Sequence, residues 1–167
     1  MSNITNYTAM SRRISKIFKT EKNKKSYMEK LEEANNAPVL NNVHIHVDWK
    51  KNRTWGWNPH ATLEINGKTF VDRVSGCGYD KLSSVVACVL EKCPSFRRFK
   101  IENWKKIKNR LPEYNSNYVS WNENDIFPCF GIDGSGISVL RQIVEAAGYT
   151  FEHYDHDKYE NIYIYKN

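Results

Sequence analysis

Between residues 43 and 49 the chain reads Val-His-Ile-His-Val-Asp-Trp, apolar and polar side chains in strict alternation. In a strand that period places Val43, Ile45, Val47 and Trp49 on one face and His44, His46 and Asp48 on the other. The chain is thereby committed to a sheet with one packed face and one solvated face, the habit of antiparallel sheets. The next alternating stretch, residues 60–74, is broken by Asn66-Gly67, the pair that best tolerates the positive φ angles of a type I′ turn. A hairpin is predicted there, with Leu63 opposite Phe70. Alternation returns in residues 149–154 and 161–166, a second hairpin around Asp-His-Asp-Lys-Tyr-Glu.

The period elsewhere is helical. Met10, Ile14, Ile17, Phe18, Met28 and Leu31 recur at helix spacing around the polar run Thr-Glu-Lys-Asn-Lys-Lys-Ser, giving a basic helical hairpin or one long frayed helix. Pro38, within Ala-Asn-Asn-Ala-Pro-Val-Leu-Asn-Asn, ends it. The expected organisation is a basic helical extension, 1–36, followed by a single α+β domain, 37–167. Leu82, Val85, Val86, Val89 and Leu90 mark one helix face ending before Pro94. Phe96, Phe99 or Lys100, Trp104, Ile107 and Leu111 mark a second with a basic outer face, Trp104 taking a core-like position. Ile137, Leu140, Ile143, Val144 and Ala147 mark a third, with Gly148 as its C′ residue. Residues 113–130 read as an Asn-rich loop with a short strand at Tyr-Val-Ser-Trp. The fold class is therefore α+β, an antiparallel sheet of two hairpins plus a strand with helices packed on one face.

The formal charge of +6 gains meaning once it is located. Residues 1–30 hold eight Lys or Arg against two Glu, and residues 97–110 hold seven against one, so each segment carries +6 and the rest of the chain −6. Such polarity suits a polyanion. Arg12, Arg13, Lys16, Lys19, Arg97, Arg98, Lys105 and Lys106 are the candidate contacts to a nucleic-acid backbone or to a nucleic-acid-bound host complex. No apolar stretch approaches the roughly 20 residues of a membrane-spanning helix, and residues 1–13 lack the apolar core of a secretory signal. The expectation is a cytoplasmic protein without a transmembrane segment, its oligomeric state open. The four cysteines form no Cys-x-x-Cys pair and read as reduced packing residues.

Residues 75–86, Ser-Gly-Cys-Gly-Tyr-Asp-Lys-Leu-Ser-Ser-Val-Val, turn the chain into the first domain helix. Gly76 and Gly78 supply backbone freedom, and Lys81, Ser83 and Ser84 with the helix-start N–H groups offer phosphate donors, although Asp80 can cap that helix itself. The same stretch also reads as a plain capped turn. Arg53, Trp55 and Trp57, in the loop before the first hairpin, suit stacking on a base or packing over the sheet edge. Gly131-Ile-Asp-Gly-Ser-Gly136 reads as a turn with a weak cap. His44, His46 and Asp48, and His153, Asp155, His156 and Asp157, have spacings compatible with a metal, but each cluster lacks a further ligand, so no metal and no cofactor is expected. Cys77 near a helix start could act as a nucleophile, yet no base or acid completes a catalytic set.

Trp-Gly-Trp-Asn-Pro-His-Ala-Thr-Leu followed by Ser-Gly-Cys-Gly-Tyr-Asp-Lys-Leu-Ser-Ser-Val-Val-Ala resembles a pattern of small phage- and prophage-encoded proteins of Gram-positive bacteria. In that pattern W-G-x-N-P precedes S-G-C-G-Y-D-K-x-S, and the resemblance covers residues 49–93. It implies an accessory or counter-defence factor that binds a host protein, a nucleic acid or a signalling nucleotide. The sequence thus points to a non-enzymatic protein that binds a phosphate-bearing ligand such as a nucleotide, or alternatively a nucleic acid or host complex through its basic segments.

Overall fold

The computed structural model describes residues 3–52, 56–75, 82–112, 118–132 and 136–167. Helices α1 (Tyr7–Ile17) and α2 (Glu21–Asn36) precede strands β1 (Asn42–Asn52), β2 (Gly56–Ile65) and β3 (Lys68–Ser75). Helices α3 (Leu82–Glu91) and α4 (Pro94–Arg110), the two-residue strands β4 (Val119–Ser120) and β5 (Cys129–Phe130), helix α5 (Ile137–Ala146) and strands β6 (Tyr149–Asp155) and β7 (Tyr159–Lys166) follow. The fold is α+β, as the alternation requires.

Five strands form an antiparallel sheet in the order β3-β2-β1-β7-β6. β1 is central because its buried side chains meet apolar partners on both sides. Ile45 stands between Leu63 and Ile162, and Val43 between Ile65 and Ile164. Ile45, Leu63 and Ile162 are fully buried, each worth about 2 kcal/mol of transfer free energy. Helices α3, α4 and α5 supply the other half of this core through Val85, Val86, Phe96, Phe99, Leu140 and Ile143.

The first hairpin departs from the predicted register. Asn66 and Gly67 hold φ values of 53° and 83°, as a type I′ turn demands, and Ile65 faces Lys68. Leu63, however, faces Val71 rather than Phe70, and Ala61 faces Val74, so β3 gains a residue twice along its length. Bulges of this kind keep an inward face inward while twisting an edge strand away from pairing with another chain.

The basic extension is a helical hairpin broken at Phe18–Thr20. Its Ile4, Met10, Ile14, Leu31 and Ala34 make a second core cluster with Ile101 of α4 and Ile126. Met10 and Ile14 lie on one stripe of α1, Leu31 and Ala34 on one stripe of α2, so each helix turns its apolar side to the other and to α4. Among the described residues no helix is long and apolar enough to cross a membrane.

Candidate functional site

The two basic segments meet, although the 66 residues 31–96 separate them in the chain. Arg13 of α1 donates from Nε and Nη2 to the carbonyls of Asp125 and Asn122, and its guanidinium lies 5.2 Å from the Trp121 ring. Trp121 stands edge to face with Trp104 of α4 at 5.8 Å, and the Lys108 ammonium lies 5.8 Å from the Trp104 ring. A line of cation, indole, indole, cation therefore joins α1 to α4. Trp104 packs against the core yet stays partly exposed, short of the core-like burial its spacing suggested.

Several of the arginines have internal work. Arg98 is 3 % exposed, and its Nε donates to Glu102 Oε1 at 2.9 Å while Nη1 donates to the carbonyls of Asn35 (2.8 Å) and Ala37 (3.2 Å). It thus satisfies the carbonyls that a helix C-terminus leaves without partners, fastening α2 to α4. Arg97 donates to the Lys30 carbonyl at 3.1 Å, pairs with Glu33 and lies over Phe127. Arg12, Lys16, Lys19, Lys105, Lys106, Lys108 and Arg110 remain exposed. Arg12, Arg13 and Lys16 border a hollow of about 470 Å³ shared with Glu123 and Asn124.

The solvated face of the sheet has the opposite character. His44 Nε2 and His46 Nδ1 each sit 2.8 Å from Asn161 Oδ1, while Glu64 Oε2 is 3.4 Å from His44 Nδ1 and Asp48 Oδ1 is 3.2 Å from His46 Nε2. The Tyr163 ring stacks on His44 at 4.6 Å. Nearby, Tyr165 and Tyr154 donate to Glu152 at 2.7 and 3.1 Å, and hydrogen bonding to that carboxylate pushes both phenols up in pKa. The histidines are tied into a polar ladder, and among the described residues no group of three or more His, Cys, Asp or Glu is arranged to hold a metal. His153 lies on the other face, where Glu160 accepts from it at 2.9 Å and from Trp49 Nε1 at 2.6 Å.

Of the predicted phosphate cradle, Arg53, Trp55, Gly76, Gly78 and Lys81 lie outside the described residues, as does Cys77, and for Trp57 only the strand backbone is described. Ser83 is buried in the first turn of α3 and Ser84 is partly exposed. The strands flanking the cradle are described: β2 starts at Gly56 and β3 ends at Ser75, opposite His60. These two strand ends lie at the same end of the sheet.

Comparison with protein-family models, with curated proteins and with solved structures finds no match for this chain. The residues that sequence reasoning missed are Trp121, read only as the end of the short strand Tyr-Val-Ser-Trp, and Asn161, whose bond to two histidines depends on the β1–β7 register. Lys100 was visible as a lysine competing with Phe99 for an inward helix position.

Proposed function

We propose that the protein binds nucleic acid, without catalysis, through the surface on which α1 and the second half of α4 converge. The observation that carries this is the Arg13–Trp121–Trp104–Lys108 line, which draws two segments of +6 into one region while Asp48, Glu64 and Glu152 occupy the solvated sheet face. Lys and Arg on one side of a molecule attract phosphates and release condensed counterions, and partly exposed indoles add sequence-tolerant contacts to bases. Internal bonds take up Arg97 and Arg98, so Arg12, Lys16, Lys19, Lys105 and Lys106 are the contacts to phosphate. On this proposal the protein is a phage or prophage accessory factor acting on nucleic acid.

Fluorescence anisotropy with a labelled single-stranded oligonucleotide tests it. Affinity is expected to fall steeply with salt, and Arg12→Ala, Lys16→Ala, Lys105→Ala and Lys106→Ala should each shallow the log–log slope by about 1. Lys68→Ala, at the tip of the β2–β3 hairpin, removes the same charge and should leave the slope unchanged. A slope insensitive to the α1 and α4 changes would refute the assignment.

A second reading, supported by the strand ends Gly56 and Ser75 lying at one end of the sheet, holds a nucleotide between residues 53–57 and 76–84. There Trp55 and Trp57 would stack the base and Lys81 would meet the phosphate.

A further inference from the structure

Residues 122–125 form a turn that is held from several sides. The Asp125 N–H donates to the Asn122 carbonyl at 3.0 Å, and the Asp125 carboxylate accepts from the Asn122 N–H at 3.0 Å. Arg13 of α1 donates to the carbonyls at both ends of the turn, and the Trp121 indole N–H donates to the Asp125 carbonyl at 3.1 Å. The backbone is thereby fixed, and the two central residues, Glu123 and Asn124, stand exposed on a rigid platform.

Both border the hollow of about 470 Å³ whose other residues are Ala9, Arg12, Arg13, Lys16 and Ile17 of α1. Three cations stand against one carboxylate there, so the hollow favours an anion, and its volume admits a single nucleotide. Arg12 and Lys16, one helical turn apart and exposed, are placed to meet phosphate, whereas Arg13 is engaged by the turn. Glu123 is the discriminating group. Towards a phosphate it is only repulsive, but beside a base it accepts hydrogen bonds from ring and exocyclic N–H groups. Guanine presents two such donors side by side, N1–H and N2–H, next to its O6 acceptor, which suits a carboxylate beside a side-chain amide. Adenine and cytosine set one amine beside a ring nitrogen lone pair, and thymine sets one N–H between two carbonyls that a carboxylate repels.

We propose that this hollow takes one unpaired guanine of a single-stranded nucleic acid, its Watson–Crick edge on Glu123 and Asn124 and its flanking phosphates on Arg12 and Lys16. The assignment rests on the nucleic-acid reading above and adds strand state and base to it, because that edge is accessible only where the base is unpaired.

Fluorescence anisotropy of the full chain at low salt tests it with an all-thymidine oligonucleotide, the same oligonucleotide carrying one central guanine, and a version with deoxyinosine in place of that guanine. The guanine should tighten binding by about ten-fold, the worth of one good bidentate pair, and deoxyinosine, which lacks the N2 amine, should lose most of the gain. Pairing the guanine strand with its complement should remove the gain as well. Glu123→Gln should erase the preference and leave the all-thymidine strand bound at least as tightly, and Asn124→Ala should reduce it. Free guanosine 5′-monophosphate should compete about ten-fold or more weakly than the guanine strand, since it lacks the further phosphates that reach Lys105 and Lys106. Equal binding of the two strands, full preference in both variants, or competition by the free nucleotide as strong as by the strand would overturn the proposal. Salt-sensitive binding without base preference overturns this assignment alone; no binding of either strand overturns the nucleic-acid reading with it.

Discussion

At the scale of single residues the cations of α4 divide by what surrounds them. Arg98 is sealed among carbonyls and a carboxylate, whereas Lys100, two residues on, is partly buried beside two phenyl rings, with Cys129 and Glu91 near enough to act on its charge. The folded chain therefore carries a lysine whose charged form costs stability, and the sign follows from linkage. Because the folded amine ionises less readily than the unfolded one, the cost is full below its folded pKa and fades as pH climbs from there to 10.5. Lys100→Met is expected to raise Tm by a few degrees at neutral pH, with the gain over wild type shrinking towards zero as pH approaches the ordinary lysine value. Paired thermal melts from neutral pH upward check this, and a variant less stable than wild type at neutral pH would count against a desolvated ammonium. The sequence hinted at this position, since helix spacing made Phe99 or Lys100 the inward residue. The structure buries Phe99 at 3 % exposure and brings Lys100 to a cavity beside it, a distinction that spacing alone does not make because the two are adjacent on the helix.

At the scale of elements the alternation of β1 and the helical stripes of α3 and α5 were readable because each buries one face against a single neighbour. What escaped the sequence depended on registers between distant strands. The bulges that set Leu63 against Val71 arise in β3, where no local signal marks the extra residues. The His44–Asn161–His46 bridge needs β7 to lie beside β1, which the order of elements along the chain does not specify. The N-terminal hairpin illustrates the converse: its helices were legible, but not their dock, because the second core cluster borrows Ile101 and Ile126 from elsewhere in the chain. Leu31 is fully buried in that cluster, so Leu31→Ala should cost about 3 kcal/mol by leaving a cavity. The loss should be local. Native-state hydrogen exchange is expected to show amides of α1 and α2 losing protection well before those of β1 and β7, and an equal loss across the sheet would mean that hairpin and sheet open as one unit.

At the scale of the whole molecule charge is arranged in opposition to the sheet's solvated face. The +12 of the two basic segments is offset by −6 elsewhere, and the carboxylates of Asp48, Glu64 and Glu152 stand on the polar ladder side while α1 and α4 carry the exposed cations. The sequence located both basic runs without their meeting, because Trp121, the residue between Arg13 and Trp104, sits in a stretch with neither helical nor alternating period. The Trp and Gly motifs of the alternative reading adjoin, in sequence, the strand ends Gly56 and Ser75, which share one end of the sheet. These alternatives place different tryptophans at the ligand, so the five indoles of the chain serve as reporters. The most direct measurement is a two-dimensional NMR titration of the indole N–H resonances with a short single-stranded oligonucleotide. Nucleic-acid binding at the α1–α4 surface requires the Trp104 and Trp121 resonances to shift, with Trp49, held on Glu160, unchanged. Shifts confined to Trp55 and Trp57 would move the site to the end of the sheet and contradict the account.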